Sequence, residues 1–266
     1  MEDYYWVALI IALKAYFYDK FNLILKYKTP ENILNLSKEE LLSNNIDEDT
    51  CKYILDKKYK NIVKKYLDYM RKWDIQIINI HDKTYPKKLR YIYNPPIVLF
   101  AKGNIKLLNE NIISIVGSRN CSNYGKNVAL DFSKRLSKKG IVIASGMAKG
   151  IDSYSHYGAL NAGGKTIAVF GSGLDVIYPK ENLGLYKKII DSQGVVISEY
   201  IVGTKPLKEN FPKRNRIISG ISNGVLVVEA SIKSGSLITA DLALEQGREV
   251  YVVPRKYYIS LFVRYK

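Results

Sequence analysis

The chain has 266 residues, 47% hydrophobic and 25% charged, with a formal net charge of +16. This length suits one or two domains of roughly 100–200 residues, and the composition excludes a disordered or fibrous chain. Two cysteines, Cys51 and Cys121, and two histidines, His81 and His156, exclude a disulfide framework and leave no His/Cys set for zinc, so no metal or cofactor is expected.

The charge is unevenly spread. Residues 1–75 carry 13 Lys+Arg against 12 Asp+Glu, which leaves 28 against 13 for residues 76–266. A basic C-terminal two-thirds predicts a polyanionic partner for that part.

In chain order, Glu2 and Asp3 have the wrong sign for the basic start of a signal peptide. The apolar run Tyr4 to Leu13 is about half of the ~20 residues a membrane span needs, so a soluble cytoplasmic protein is expected. Trp6, Leu9, Ile10, Leu13 and Phe17 recur at helical spacing and predict a core helix. Thr29-Pro30-Glu31 is a helix start, and Ser37 with Glu40 matches a capping box. Leu41, Leu42, Ile46, Tyr53, Ile54 and Leu55 supply further apolar faces. Residues 1–72 therefore read as a small all-α helical bundle. Helix-hairpin-helix modules have this size, but the hairpin position reads SNNID, without a glycine to admit a phosphate, so a structural or protein-contact role is expected.

From Ile75 the pattern changes to β. IQIIN and IVLFA are short strands separated by a linker with Pro86, Pro95 and Pro96. Beyond Asn111, strands and helices alternate: IISIV, a helix with Val128, Phe132 and Leu136 as its stripe, IVIAS, a helix from Ile151, TIAVF, a helix from Glu181, VVIS, a basic segment, VLVVEA, a helix from Ser236 to Gln246, and EVYVV. Apolar runs that do not alternate are strands covered on both faces. The expected fold is α/β: an extended Rossmann-like, doubly wound, mostly parallel sheet over residues 73–254.

In such sheets ligands bind beyond the carboxyl ends of the strands. Those ends read Gly117-Ser118-Arg119, then Ser145-Gly146 through Lys149, then Gly171-Ser172-Gly173 leading to Tyr178-Pro179-Lys180, and Ser234-Gly235-Ser236. Small residues bare backbone N–H groups at helix N-termini, where anions are favoured. The basic segment, KPLKENFPKRNRIISG, adds Lys205, Lys208, Lys213, Arg214 and Arg216 around Phe211 and Asn215. Cations bind phosphate and an aromatic face can stack on an unpaired base, while the apolar continuation predicts a docked helix.

The standard nucleotide motifs fail: Val176 stands at the third glycine of G-x-G-x-x-G, and Ala159 replaces the first glycine of a P-loop. Catalytic groups are scarce. His156 lies on a helix, His81 lies in the linker without an evident partner, and Asp152, Asp175, Glu199 and Glu229 sit where capping or arginine pairing is sufficient. Binding without catalysis is the expectation.

Taken together, GSR, SGMAKGIDSYSHYGAL, GGKTIAVFGSGLDVIYPKEN, SEY, FPKRNRIISGIS, VEA and SGSLITADLALEQGREVYVVP resemble the DNA-processing protein A family (DprA, also called Smf), in the family's order across residues 75–254. The resemblance implies sequence-independent binding of single-stranded DNA and help in loading RecA recombinase on incoming DNA during natural transformation, with a homodimer as the assembled form. It also implies that Arg119, Lys180 and Lys208 contact phosphates and that Phe211 stacks on a base. Arg214, Asn215 and Arg216 are implied as pocket residues, with Ser145, Gly146 and Lys149 on the neighbouring loop and Gly117, Gly171, Gly173 and Gly235 as loop glycines. The alternative readings are a nucleotide-processing enzyme, whose PGGxGT-type loop is missing from SIKSGSLITA, and a sensor of a small phosphorylated ligand. After Pro254 the resemblance departs. Arg255 replaces a glycine, and residues 255–266 read as a divergent or truncated basic tail that would weaken dimerisation and expose Leu261, Phe262 and Val263.

Overall fold

The structure, a computed structural model, describes residues 2–13, 18–231 and 234–254. Phe17 and the tail from Arg255 to Lys266 lie outside the described residues. The first part is helical: α1 (Glu2–Ala12), α2 (Tyr18–Tyr27), α3 (Pro30–Leu34), α4 (Lys38–Ser43), α5 (Glu48–Leu55) and α6 (Lys60–Lys72). Its short helices are held at their starts. Thr29 accepts from the Asn32 N–H, and Ser37 and Glu40 form the reciprocal box, Oγ accepting at 3.2 Å and Oε2 at 2.9 Å. Such caps contribute roughly 0.5–2 kcal/mol each, which matters for helices too short to persist alone.

The helical part shares its core with the sheet: Trp6, Leu9 and Leu13 belong to one continuous apolar cluster with Ile78, Leu99 and Val196. His81 does find a partner here, one that its sequence neighbourhood could not reveal. Its Nε2 lies 3.1 Å from the Lys28 carbonyl, and its ring lies 5.6 Å from that of Trp6.

The strands β1 (Gln76–Asn79), β2 (Val98–Gly103), β3 (Ile112–Val116), β4 (Val142–Ser145), β5 (Thr166–Val169), β6 (Val195–Ser198), β7 (Gly224–Val227) and β8 (Glu249–Val252) form one sheet, ordered β1-β2-β6-β5-β4-β3-β7-β8. The β1–β2 and β2–β6 pairs are antiparallel, and the pairs from β6 across to β8 are parallel. Helices α7 (Asn123–Lys138), α8 (Ile151–Asn161), α9 (Leu183–Asp191), α10 (Asn210–Gly220) and α11 (Gly235–Glu245) complete the crossovers. The chain winds outward from β3 through β4, β5 and β6, then returns through α10 to place β7 on the other side of β3. That reversal is the topological switch point, where crevices open at the carboxyl ends of the strands.

Two expectations need correction. Of the α7 stripe, Val128 and Leu136 pack against the core but Phe132 is exposed, and the fully buried face is Gly125, Ala129, Ser133 and Ser137. Small residues win because α7 packs closely on α8, where a Cβ on Gly158 would lie 1.9 Å from Ser133 Oγ and 2.5 Å from the Leu130 carbonyl. EVYVV forms β8 but is not covered on both faces, since Glu249, Tyr251 and Val252 of this edge strand are exposed.

Gly158→Ala is expected to destabilise the protein by about 1–3 kcal/mol, the ordinary cost of overpacking against backbone. A lowered urea or thermal midpoint checks this, and an unchanged midpoint would contradict the close α7–α8 packing.

Candidate functional site

At the switch point lies a cavity of about 670 Å³, lined from several directions. The loop after β3 supplies Gly117, Ser118, Arg119 and Asn120, the loop after β4 supplies Ala148 with Asp152 of α8, α10 and its approach supply Pro206, Lys208, Phe211, Arg214 and Asn215, and α11 with its preceding turn supplies Ser231, Ser234, Gly235 and Thr239. Phe211, Arg214, Asn215 and Ile218 follow the i, i+3, i+4, i+7 spacing of one helix face, so the helical fold of the basic segment alone aims them together.

Arg214 forms the floor. It is only 4% exposed, and its Nη1 donates to the Gly146 carbonyl at 2.7 Å and to the Val169 carbonyl, while Nε donates to Asn215 Oδ1 at 3.2 Å. Burial pulls its pKa down to about 10, with Asp152 opposing that shift, so the guanidinium stays charged at neutral pH. Burial pushes the Asp152 carboxyl up, against the pull of Arg214 and of the Ala148 N–H.

Phe211 stands above this floor. Its ring lies 5.5 Å from that of Tyr178 at 39°, with the guanidinium carbons of Arg119 and Arg214 at 5.7 and 5.8 Å from its centroid. Tyr178 also lines the cavity and is 45% exposed. Tyr178 stands two positions before Lys180 in the same strand-end loop, and an aromatic at that place is the signal in the sequence for its role.

The glycines serve differently from the bare N–H groups anticipated for them. A Cβ on Gly146 would sit 2.7 Å from both Arg214 and Asp152, and one on Gly171 would sit 2.9 Å from the Phe211 ring. Gly117 and Gly173 are likewise closed in, by Ile151 and by the Ile201 carbonyl. Gly235 is open and opens α11, its carbonyl accepting from Asn215 Nδ2 at 3.2 Å.

Several anticipated residues lie off the cavity wall. Ser145 is buried, its Oγ bound to the Ile115 carbonyl at 2.6 Å. Lys149 is exposed and paired with Glu181 at 2.6 Å, and Lys180, the residue before Glu181, is exposed as well. Arg216 is the clear correction to the pocket set. Two residues beyond Arg214, it faces away from the cavity and grips Glu199 through two hydrogen bonds of 3.1 and 2.7 Å, with both side chains largely buried.

The remaining titratable groups have structural partners. Glu229 accepts from Ser122 N–H and Oγ at 3.0 and 2.9 Å, at the start of α7. Asp175 accepts from the Gly203 N–H at 2.8 and 3.0 Å. His156 is fully buried, its Nδ1 2.6 Å from Thr166 Oγ1, and burial followed by the charge of Arg214 lowers its pKa to about 3. An imidazole held neutral below its unfolded pKa of about 6.5 makes the unfolded chain the better proton acceptor. Stability is therefore expected to fall as pH drops from about 6.5 toward about 3. In urea titrations His156→Gln should flatten this slope, and an unchanged slope would contradict the assignment.

The family model described as DNA recombination-mediator protein A matches residues 76–261. DNA processing protein DprA of Bacillus subtilis is 51% identical over 185 residues, covering 69% of this chain and 62% of that protein. The Streptococcus pneumoniae protein of the same name is 49% identical over 66% of this chain and 62% of its own length. The chain thus spans about three-fifths of these relatives. Among solved structures, DNA processing protein A from S. pneumoniae aligns with a TM-score of 0.82 at 36% identity, over 95% of this chain and 87% of that one. DNA processing protein A from Helicobacter pylori, described for its single-stranded DNA binding mode, aligns with a TM-score of 0.62 at 32% identity, over 68% and 82%. Since the family match takes in the whole sheet and every wall of the cavity, this chain belongs to the DNA recombination-mediator protein A family.

Proposed function

We propose that this chain binds single-stranded DNA without sequence preference at the switch-point cavity. Within the whole protein, acting in the cytoplasm, that binding protects incoming DNA and helps load RecA recombinase during natural transformation. The observation that carries the reading is the pair of rings, Phe211 and Tyr178, set beside the Arg119 and Arg214 guanidinium groups. Cations alone fit any polyanion, whereas a ring at a cationic cavity fits an unpaired base, whose π-face is common to all sequences.

Roles follow from position. Arg119 and Lys208 on the wall, with the exposed Lys149 and Lys180, meet the phosphates. Phe211 takes a base, Asn215 lies beside it, and Ser145, Gly146 and Arg214 build the floor. Gly117, Gly171, Gly173 and Gly235 shape the loops. Arg216 acts from behind, by tying α10 to Glu199. Binding without chemistry is supported by the engagement of Glu229, Asp175 and Glu199 in structural bonds and by the burial of His156. The cavity volume is also within the ~300–1,000 Å³ range of small-molecule sites, which supports a small phosphorylated ligand as the second reading.

Phe211→Ala is expected to weaken single-strand binding by about 1–3 kcal/mol in fluorescence anisotropy, and unchanged affinity would remove the ring from the site. Combined neutralisation of Arg119, Lys180 and Lys208 should weaken all sequences alike. It should also reduce the slope of log K against log salt by about 0.7 per lost phosphate contact. An unchanged slope would contradict the groove.

A further inference from the structure

The near-neutral average of the first 75 residues hides a segregated charge. Residues 56–75 carry seven Lys+Arg against three Asp+Glu, and α6 itself holds Lys60, Lys64, Lys65, Arg71 and Lys72 against Asp68. At the end of α6 the rings of Tyr69 and Trp73 lie 5.8 Å apart at 30°, yet they are 37% and 45% exposed. Lys102 Nζ lies 5.8 Å from the Trp73 ring and donates to the Trp73 carbonyl at 2.7 Å. The arrangement repeats the composition of the cavity: two adjacent aromatic rings, open to solvent, with cations beside them.

This second pair adjoins the first. Tyr69 Oη donates to Asp175 Oδ2 at 3.4 Å, and Asp175 lies on the loop that carries Tyr178. Tyr178 is three positions beyond Asp175, at most about 11 Å of chain. The Asp175 carboxylate accepts from the Gly203 N–H and from Tyr69, which fixes it between the two ring pairs. Contacts thus run from Phe211 to Tyr178, and from Asp175 on the same loop to Tyr69 and Trp73, with Lys102 beside the last ring.

We propose that a single strand seated in the cavity continues along this line of contacts and stacks a further base on the Tyr69–Trp73 pair, so that the helical part is a second nucleic-acid contact. The proposal rests on the single-strand reading of the cavity. It assigns a function to two rings that the packing of α6 on α1, through buried Val63 and Met70, leaves exposed.

The two tryptophans of the chain make the test selective, because Trp6 is 1% exposed and Trp73 is 45% exposed. Intrinsic fluorescence is titrated with an oligothymidylate of about five nucleotides, enough for the cavity, and with one of about twenty. The long strand should quench Trp73 and the short one should not. Trp73→Ala should weaken the long strand by about 5- to 150-fold, the stacking range converted at a factor of ten per 1.4 kcal/mol, and leave the short one unchanged. Trp73→Phe, which keeps a ring, should retain most of the affinity, and thermal melts of both variants report folding. Equal weakening for both lengths, or tight long-strand binding without quenching, overturns the second contact while leaving the cavity reading standing. Binding of neither strand overturns both.

Discussion

The buried guanidinium of Arg214 joins three parts of the molecule that the chain supplies separately. It donates to carbonyls at the carboxyl ends of β4 and β5 from a helix, α10, that belongs to the crossover from β6 to β7. A buried carbonyl without a donor costs about 1–3 kcal/mol, so the helix can seat in one place only. Seating it there turns Phe211 and Asn215 toward the cavity and Arg216 toward Glu199. Burial holds His156 neutral and the charge of Arg214 adds to that, while the same charge opposes the upward push of burial on Asp152.

That constraint explains the glycines better than anion binding does. Gly146 and Gly171 leave the space that Arg214 and Phe211 occupy, so the strand-end loops are shaped around side chains from α10. The wall and floor of the cavity are therefore one cooperative unit. Arg119 and Lys208, for which phosphate contact is proposed, line the cavity and are exposed at the surface of that unit.

Much of this was legible in the sequence. Unbroken apolar runs marked the parallel strands, and Ser37 with Glu40 marked a helix start, because these are local signals. The strand-end glycines and the basic segment were visible as a set through their common edge. Three features were not legible, each for a stated cause. The face of α7 depends on how closely α8 approaches, which no periodicity within α7 contains. Arg214 and Arg216 are alike in sequence, and a difference of two positions on a helix decides which one reaches the cavity. The cations and rings of α6 were averaged away against the acids of α1 to α5, and only the fold sets Tyr69 against Asp175.

The account stands on a cavity that prefers a connected, unpaired strand to its separate nucleotides. The most direct measurement is competition between an oligothymidylate and mononucleotides for the full chain, followed by anisotropy at fixed salt. The account predicts tight binding of the oligomer, displaced by other single strands of any sequence and barely by mononucleotides. Equal or tighter binding of a mononucleotide would contradict it and would make the cavity a small-ligand site.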